Sequence, residues 1–199
     1  ELNFNNMIKP AKRTEVVKEY YFSRKNKELA AVRALRESKG EPALISLGIG
    51  APDRMPPLSA IEALCETARR SDVHVYQNYK GSPELRKAYS DWYAKSYGVQ
   101  LNPENEIQPL AGSKEGSLLL ALAFINRGDK VLVPNPGYPT YTSALELVEA
   151  DIVTYDLLPE NNWEPDFEAL QRMDLRGVKM MWMNYPSMPT GKAASQELY

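Results

Sequence analysis

From Glu106 onward the chain alternates short apolar runs with amphipathic stretches. Ile107–Leu110, Lys130–Pro134, Ile152–Tyr155 and Val178–Met183 read as strands, with helical patterns between them. Two parallel strands can be joined only through a crossover of a dozen or more residues, usually a helix. The alternation therefore predicts an α/β fold in which helices cover both faces of a mainly parallel sheet. Ligands of such sheets bind beyond the carboxyl ends of the strands, so the loops at that edge are where chemistry is expected.

The first hundred residues carry different signals. A helical pattern runs over residues 15–39, with Leu29, Val32 and Leu35 on one face and Gly40 as its stop. An extended piece, Leu44–Leu47, leads into the connector Gly48-Ile49-Gly50-Ala51-Pro52-Asp53, which divides an N-terminal segment, 1–47, from a main domain, 48–199. A helix is expected near Leu58–Arg70. Another opens at Ser82-Pro83-Glu84, where Ser82 can cap and Pro83 suits the first turn, and ends by Gly98. Leu85, Ala88, Tyr89, Trp92 and Tyr93 fall on one face of that second helix and read as core. Cys65, in phase with Ile61, Leu64 and Ala68, reads as buried packing.

Composition excludes several classes. A net charge of -2 without any single-sign block gives no electrostatic footprint for nucleic acid. The longest apolar run, 118–125, is under half of the roughly 20 residues that a membrane-spanning helix requires. One cysteine permits no internal disulfide and fits a reducing cytoplasm, and one histidine, His74, without a second His or Cys at ligand spacing, argues against a metal site. No secretory signal precedes the first helix.

Three loops at successive strand ends can carry chemistry. Gly112-Ser113-Lys114-Glu115-Gly116 opens a helix, where free N–H groups and the helix dipole favour a phosphate, with Ser113 as donor and Lys114 as a point charge. A plain strand-turn-helix junction with a serine cap accounts for that segment equally well. Asn135-Pro136-Gly137-Tyr138-Pro139 is a rigid turn that offers the Tyr138 ring for stacking, whereas Tyr141, in phase with Ala144, Leu145 and Val148, reads as core. The third is Asn184-Tyr185-Pro186-Ser187-Met188-Pro189-Thr190-Gly191, a polar rim. Together they outline an anion pocket, a stacking ring and a rim.

In order and spacing, Leu47-Gly48-Ile49-Gly50, Tyr76 with Gly81 and Leu85-Arg86, Gly112-Ser113-Lys114, Pro136-Gly137-Tyr138-Pro139 and Pro189-Thr190-Gly191 resemble the class I/II aminotransferases of fold type I. Ser113-Lys114 and Tyr20-Tyr21-Phe22-Ser23 most resemble the LL-diaminopimelate and aspartate branches of that class. The resemblance implies a three-layer large domain, incomplete here, with an N-terminal arm and small-domain segment over 1–47. It also implies pyridoxal 5'-phosphate (PLP) as cofactor, an amino acid and a 2-oxo acid as substrates, and a homodimer. Gly112, Ser113 and Lys114 would hold the PLP phosphate, Tyr138 would stack on the pyridine ring, and Tyr76 would reach the phosphate of a neighbouring subunit. Gly50 and Tyr20 would face the substrate.

Two departures follow. Met188 stands where the family usually has an Asn that donates to the PLP phenolic oxygen, and a thioether cannot donate. The lysine that carries the cofactor, the Asp that pairs with the pyridine nitrogen and the Arg that grips the substrate lie, in the family, beyond the position of Tyr199. Lys114 and Lys192 lack the desolvated setting that a cofactor-carrying lysine needs, so no catalytic residue is assigned within the chain. The second reading is a non-catalytic module that keeps the phosphate-binding edge and the dimer surface.

Overall fold

The central strand explains the main unit. In the computed structural model, which describes residues 9–15, 19–48, 50 and 52–198, β1 (Lys130–Asn135) is buried from Val131 to Pro134 and lies between β2 (Asp151–Asp156) and β3 (Val178–Met181), all parallel. Successive side chains of a strand alternate faces. Val131 and Val133 pack with Ala121, Ile125, Tyr141, Ala144 and Leu145, whereas Leu132 packs with Tyr155, Leu157 and Leu170. The first cluster brings in α4 (Ser113–Phe124) and α5 (Pro139–Leu147), and the second brings in α6 (Phe167–Arg172). Helix, sheet and helix thus form the three layers that the alternation predicts. Burying one side chain as completely as Leu145 contributes about 2 kcal/mol.

Pro134 is unusual in a central strand, because it cannot donate to a ladder. The β2 side of β1 stays paired to its end, Asn135 opposite Asp156, but on the β3 side pairing stops at Leu132 opposite Met181, with Trp182 N–H donating to the Leu132 carbonyl. Leu132 faces β3, so Pro134, two residues on, faces the same side beyond the end of β3. The missing N–H therefore leaves no strand unpaired.

The described residues fall into two compact units. One joins the N-terminal residues up to Glu19 with everything from Leu110 onward, and the other is Tyr20–Pro109. The second contains α1 (Tyr21–Ser38), α2 (Leu58–Ala68) and α3 (Pro83–Tyr97). Ser82 caps α3 by accepting from Leu85 N–H at 3.2 Å, and Gly98 ends it in the left-handed conformation at φ +69°, both as expected from the sequence. Arg86 is the buried residue of α3. Its guanidinium donates to the carbonyls of Pro103 (2.7 Å) and Gly81 (2.6 Å) and to the Glu104 carboxylate (3.1 and 3.2 Å).

Several expectations are corrected. Ile107–Leu110 is extended but not a strand, since no strand lies beside it among the described residues to exchange hydrogen bonds. Leu85, Tyr89, Trp92 and Tyr93 are exposed rather than core, because helical periodicity marks an apolar face without specifying what covers it. Cys65 is exposed for the same reason: α2 buries none of its residues. The first helix begins at Tyr21 instead of residue 15, and the last strand ends at Met181 instead of Met183. Residues 16–18 of that expected helix, and Ile49 and Ala51 of the connector, lie outside the described residues. Among the described residues no helix is long and apolar enough to cross a membrane.

Candidate active site

The carboxyl ends of β1 and β3 and the start of α4 belong to one unit. Gly112 is the N-cap of α4 in extended backbone, and Glu115 reaches back to accept from Ala111 N–H at 2.8 Å, which fixes the entry of the chain. The first turn then presents Ser113 and Lys114, with its N–H groups directed out of the helix end as in any helix. Ser117, nearly buried, donates to the Ser113 carbonyl at 3.2 Å and steadies the same turn.

Tyr138 comes to that turn from β1. The chain leaves the strand through a tight bend in which a Cβ at Gly137 would run into the Pro134 carbonyl oxygen, so only glycine fits. Tyr138 is the N-cap of α5, with Pro139 in the first turn. Its ring lies 5.8 Å from the Lys114 Nζ, within cation–π range. The two sequence-predicted groups of the anion pocket and the stacking ring are thereby brought together. Behind Tyr138, the buried Tyr141 meets it edge-on (5.6 Å, 82°) and stacks on Trp182 (4.6 Å, 9°). Tyr141 is core, as its helical phase indicated.

The third loop closes on itself. Ser187 N–H donates to the Lys192 carbonyl and Gly191 N–H to the Ser187 carbonyl, both at 2.7 Å, while Asn184 donates to the Pro186 carbonyl at 3.1 Å. Asn184 is therefore engaged within its own turn, and Met188 is exposed beside the buried Ser187. The Tyr185 hydroxyl donates to the Trp163 carbonyl at 2.9 Å and Lys192 pairs with Glu164 at 3.8 Å, which pins the loop to the turn before α6.

The remaining predicted residues lie in the other unit. Tyr76 is fully exposed, Tyr20 is the exposed N-cap of α1, and Gly50 has open space around it. Two features of the site went unread in the sequence. Asn135 donates to Asp156 at 2.7 Å across the ends of β1 and β2, and the Tyr155 hydroxyl donates to the Trp182 carbonyl at 2.7 Å. A polar residue ending each of two adjacent strands was the available signal for the first. The second depends on strand order.

The family Aminotransferase class I and II matches residues 42–199. The chain belongs to this family. It is 41% identical to the LL-diaminopimelate aminotransferase of Dehalococcoides mccartyi over 192 residues, which cover 96% of this chain and 48% of that protein. It is 39% identical to transaminase BacF of Bacillus subtilis over 156 residues, 78% of this chain and 39% of the relative. The apo structure of BacF superposes with a TM-score of 0.85 at 33% identity, covering 96% of this chain and 48% of that one. The chain thus spans about half the length of the curated aminotransferases it matches. The incomplete α/β domain expected of a fold type I aminotransferase is what the structure contains.

Proposed function

We propose that the chain is the N-terminal part of a PLP-dependent aminotransferase that moves an amino group between an amino acid and a 2-oxo acid. The observation that carries this reading is the meeting of Lys114 and Tyr138 at the carboxyl edge of the sheet, beside the first turn of α4. The donor set fits the cofactor. A cation and a helix N-terminus suit a phosphate, and an adjacent aromatic face suits a pyridine ring.

In this reading, Gly112, Ser113 and Lys114 bind the phosphate, Lys114 turning from the Tyr138 ring to the anion, and Tyr138 orients the cofactor ring by stacking. Tyr76, fully exposed, extends to the phosphate site of a second copy in a homodimer. Gly50 and Tyr20 border the substrate. Residues 1–47 supply an arm and small-domain segment, and 48–199 supply part of the PLP-binding domain. PLP, when bound, supplies an electron sink for charge at the substrate Cα. Burial raises the Tyr141 and Tyr155 phenols above their usual range, so both are neutral at physiological pH.

The names of the relatives make LL-diaminopimelate the first amino donor to try. The test is amino-group transfer by the protein from its complete natural reading frame, with PLP, a panel of amino acids and 2-oxo acids, and the new amino acid measured by chromatography. Transfer that requires PLP supports the reading. PLP-saturated protein without transfer for any pair refutes it.

A further inference from the structure

Tyr138 is only partly buried, and it packs against the same core cluster as Trp182. Tyr138 and Tyr141 meet edge-to-face at 5.6 Å and 82°, and Tyr141 in turn lies flat on Trp182 at 4.6 Å and 9°. Trp182 follows directly on β3 and is held at two backbone atoms. Its N–H donates to the Leu132 carbonyl at 2.9 Å, and its carbonyl accepts from the buried Tyr155 hydroxyl at 2.7 Å. A line of aromatic groups therefore runs from a doubly anchored backbone position on one strand end to the ring offered at the next.

We infer that Trp182 is a positioning residue for the cofactor ring, acting through Tyr141 on Tyr138. This rests on the reading that Tyr138 stacks on PLP. A stacked partner at near-parallel geometry restrains the plane of Tyr141, and an edge-on contact transmits that restraint to Tyr138, because tilting either ring would open a void in close packing. Tyr138 is thereby set before the cofactor arrives, and binding orders one side chain fewer. Tyr155 contributes from the far strand by holding the Trp182 carbonyl, which fixes the backbone that carries the indole.

The experiment is a double-mutant cycle in the protein from its complete natural reading frame, stripped of cofactor and titrated with PLP by absorbance. Trp182→Leu is expected to raise the PLP dissociation constant roughly fivefold, the scale of one aromatic pair, and Trp182→Phe to keep it within about twofold. In a Tyr138→Ala background, Trp182→Leu is expected to change nothing further. An equal factor in both backgrounds, no effect in the wild type, or an equal loss with Trp182→Phe would overturn the inference while leaving the PLP site standing. Should Tyr138→Ala itself leave PLP affinity unchanged, the stacking role of Tyr138 fails and the inference falls with it. Thermal unfolding of each apoprotein verifies the fold, and Trp182→Met replaces Trp182→Leu should the latter not fold, since it fills space without a ring.

Discussion

The Nζ of Lys114 stands 5.8 Å from the centre of the Tyr138 ring, although Lys114 lies in the first turn of α4 and Tyr138 caps α5, with the rest of α4 and all of β1 between them in the chain. A cation over an aromatic face is a stable arrangement in the free protein, and it leaves both groups beside the space that a phosphorylated ring would take. In the proposed reading an incoming phosphate would compete for the cation and the pyridine ring for the face, so that one contact would pre-position both halves of the recognition.

The consequence is a separable phosphate contribution. Lys114→Ala is expected to weaken PLP binding about tenfold or more, the range of a charge-assisted hydrogen bond, and to leave pyridoxal, which lacks the phosphate, nearly unaffected. Parallel titrations with both compounds check it. Equal losses for the two would place Lys114 elsewhere.

Met188 gives a spectroscopic prediction. The loop that carries it is clasped by the Ser187–Lys192 and Gly191–Ser187 backbone bonds, so the side chain can change without loss of the turn. Met188→Asn is expected to shift the absorption of bound PLP, because in the proposed reading it would place a donor near the phenolic oxygen. An unchanged spectrum with unchanged affinity would mean that position 188 does not face the ring.

Arg86 and Glu104 are partners of very unequal weight. The Arg86 side chain is 3% exposed and that of Glu104 is 67% exposed, and two of the guanidinium's short bonds go to backbone carbonyls rather than to the carboxylate. Arg86→Ala is expected to cost about 3 kcal/mol, and Glu104→Gln less than about 1 kcal/mol, in denaturant unfolding. Equal costs would show that the ion pair, not the carbonyl clamp, holds the segment.

How much of this could be read from the sequence depends on the distance between partners. The Ser82 and Gly98 caps, and the core position of Tyr141, follow from local pattern and are present as expected. The contact of Lys114 with Tyr138 required only that the start of α4 lie beside the carboxyl end of β1, and it forms although Ile107–Leu110 is not a strand. By contrast, the Asn135–Asp156 bond needs the register of β1 on β2, and the Tyr141–Trp182 stack needs β3 beside β1, neither of which periodicity contains. Ile107–Leu110 and the face of α3 failed for a related reason, since a strand needs a neighbour and an apolar face needs a cover, and both lie outside the local pattern.

Asp129 makes stability depend on pH. It accepts from Lys179 at 2.8 Å and from Asn126 N–H at 2.7 Å, and these bonds hold its carboxyl below the usual carboxylate range. A group whose pKa is lower in the folded state stabilises above its unfolded value, near about 4, and loses that contribution as pH falls through the folded value. Asp129→Asn should therefore lower the thermal midpoint at neutral pH, and the gap from wild type should close as the solution is acidified below about pH 4. A gap independent of pH would show that Asp129 contributes no differential proton binding.

The most direct measurement is borohydride reduction of the PLP-loaded protein, expressed from its complete natural reading frame, followed by peptide mapping of the modified lysine. The account predicts one labelled lysine outside these 199 residues, with Lys114 and Lys192 unmodified. A stoichiometric label on Lys114, Lys192 or any other lysine of this chain would contradict it, and would turn the phosphate-binding half into the catalytic one.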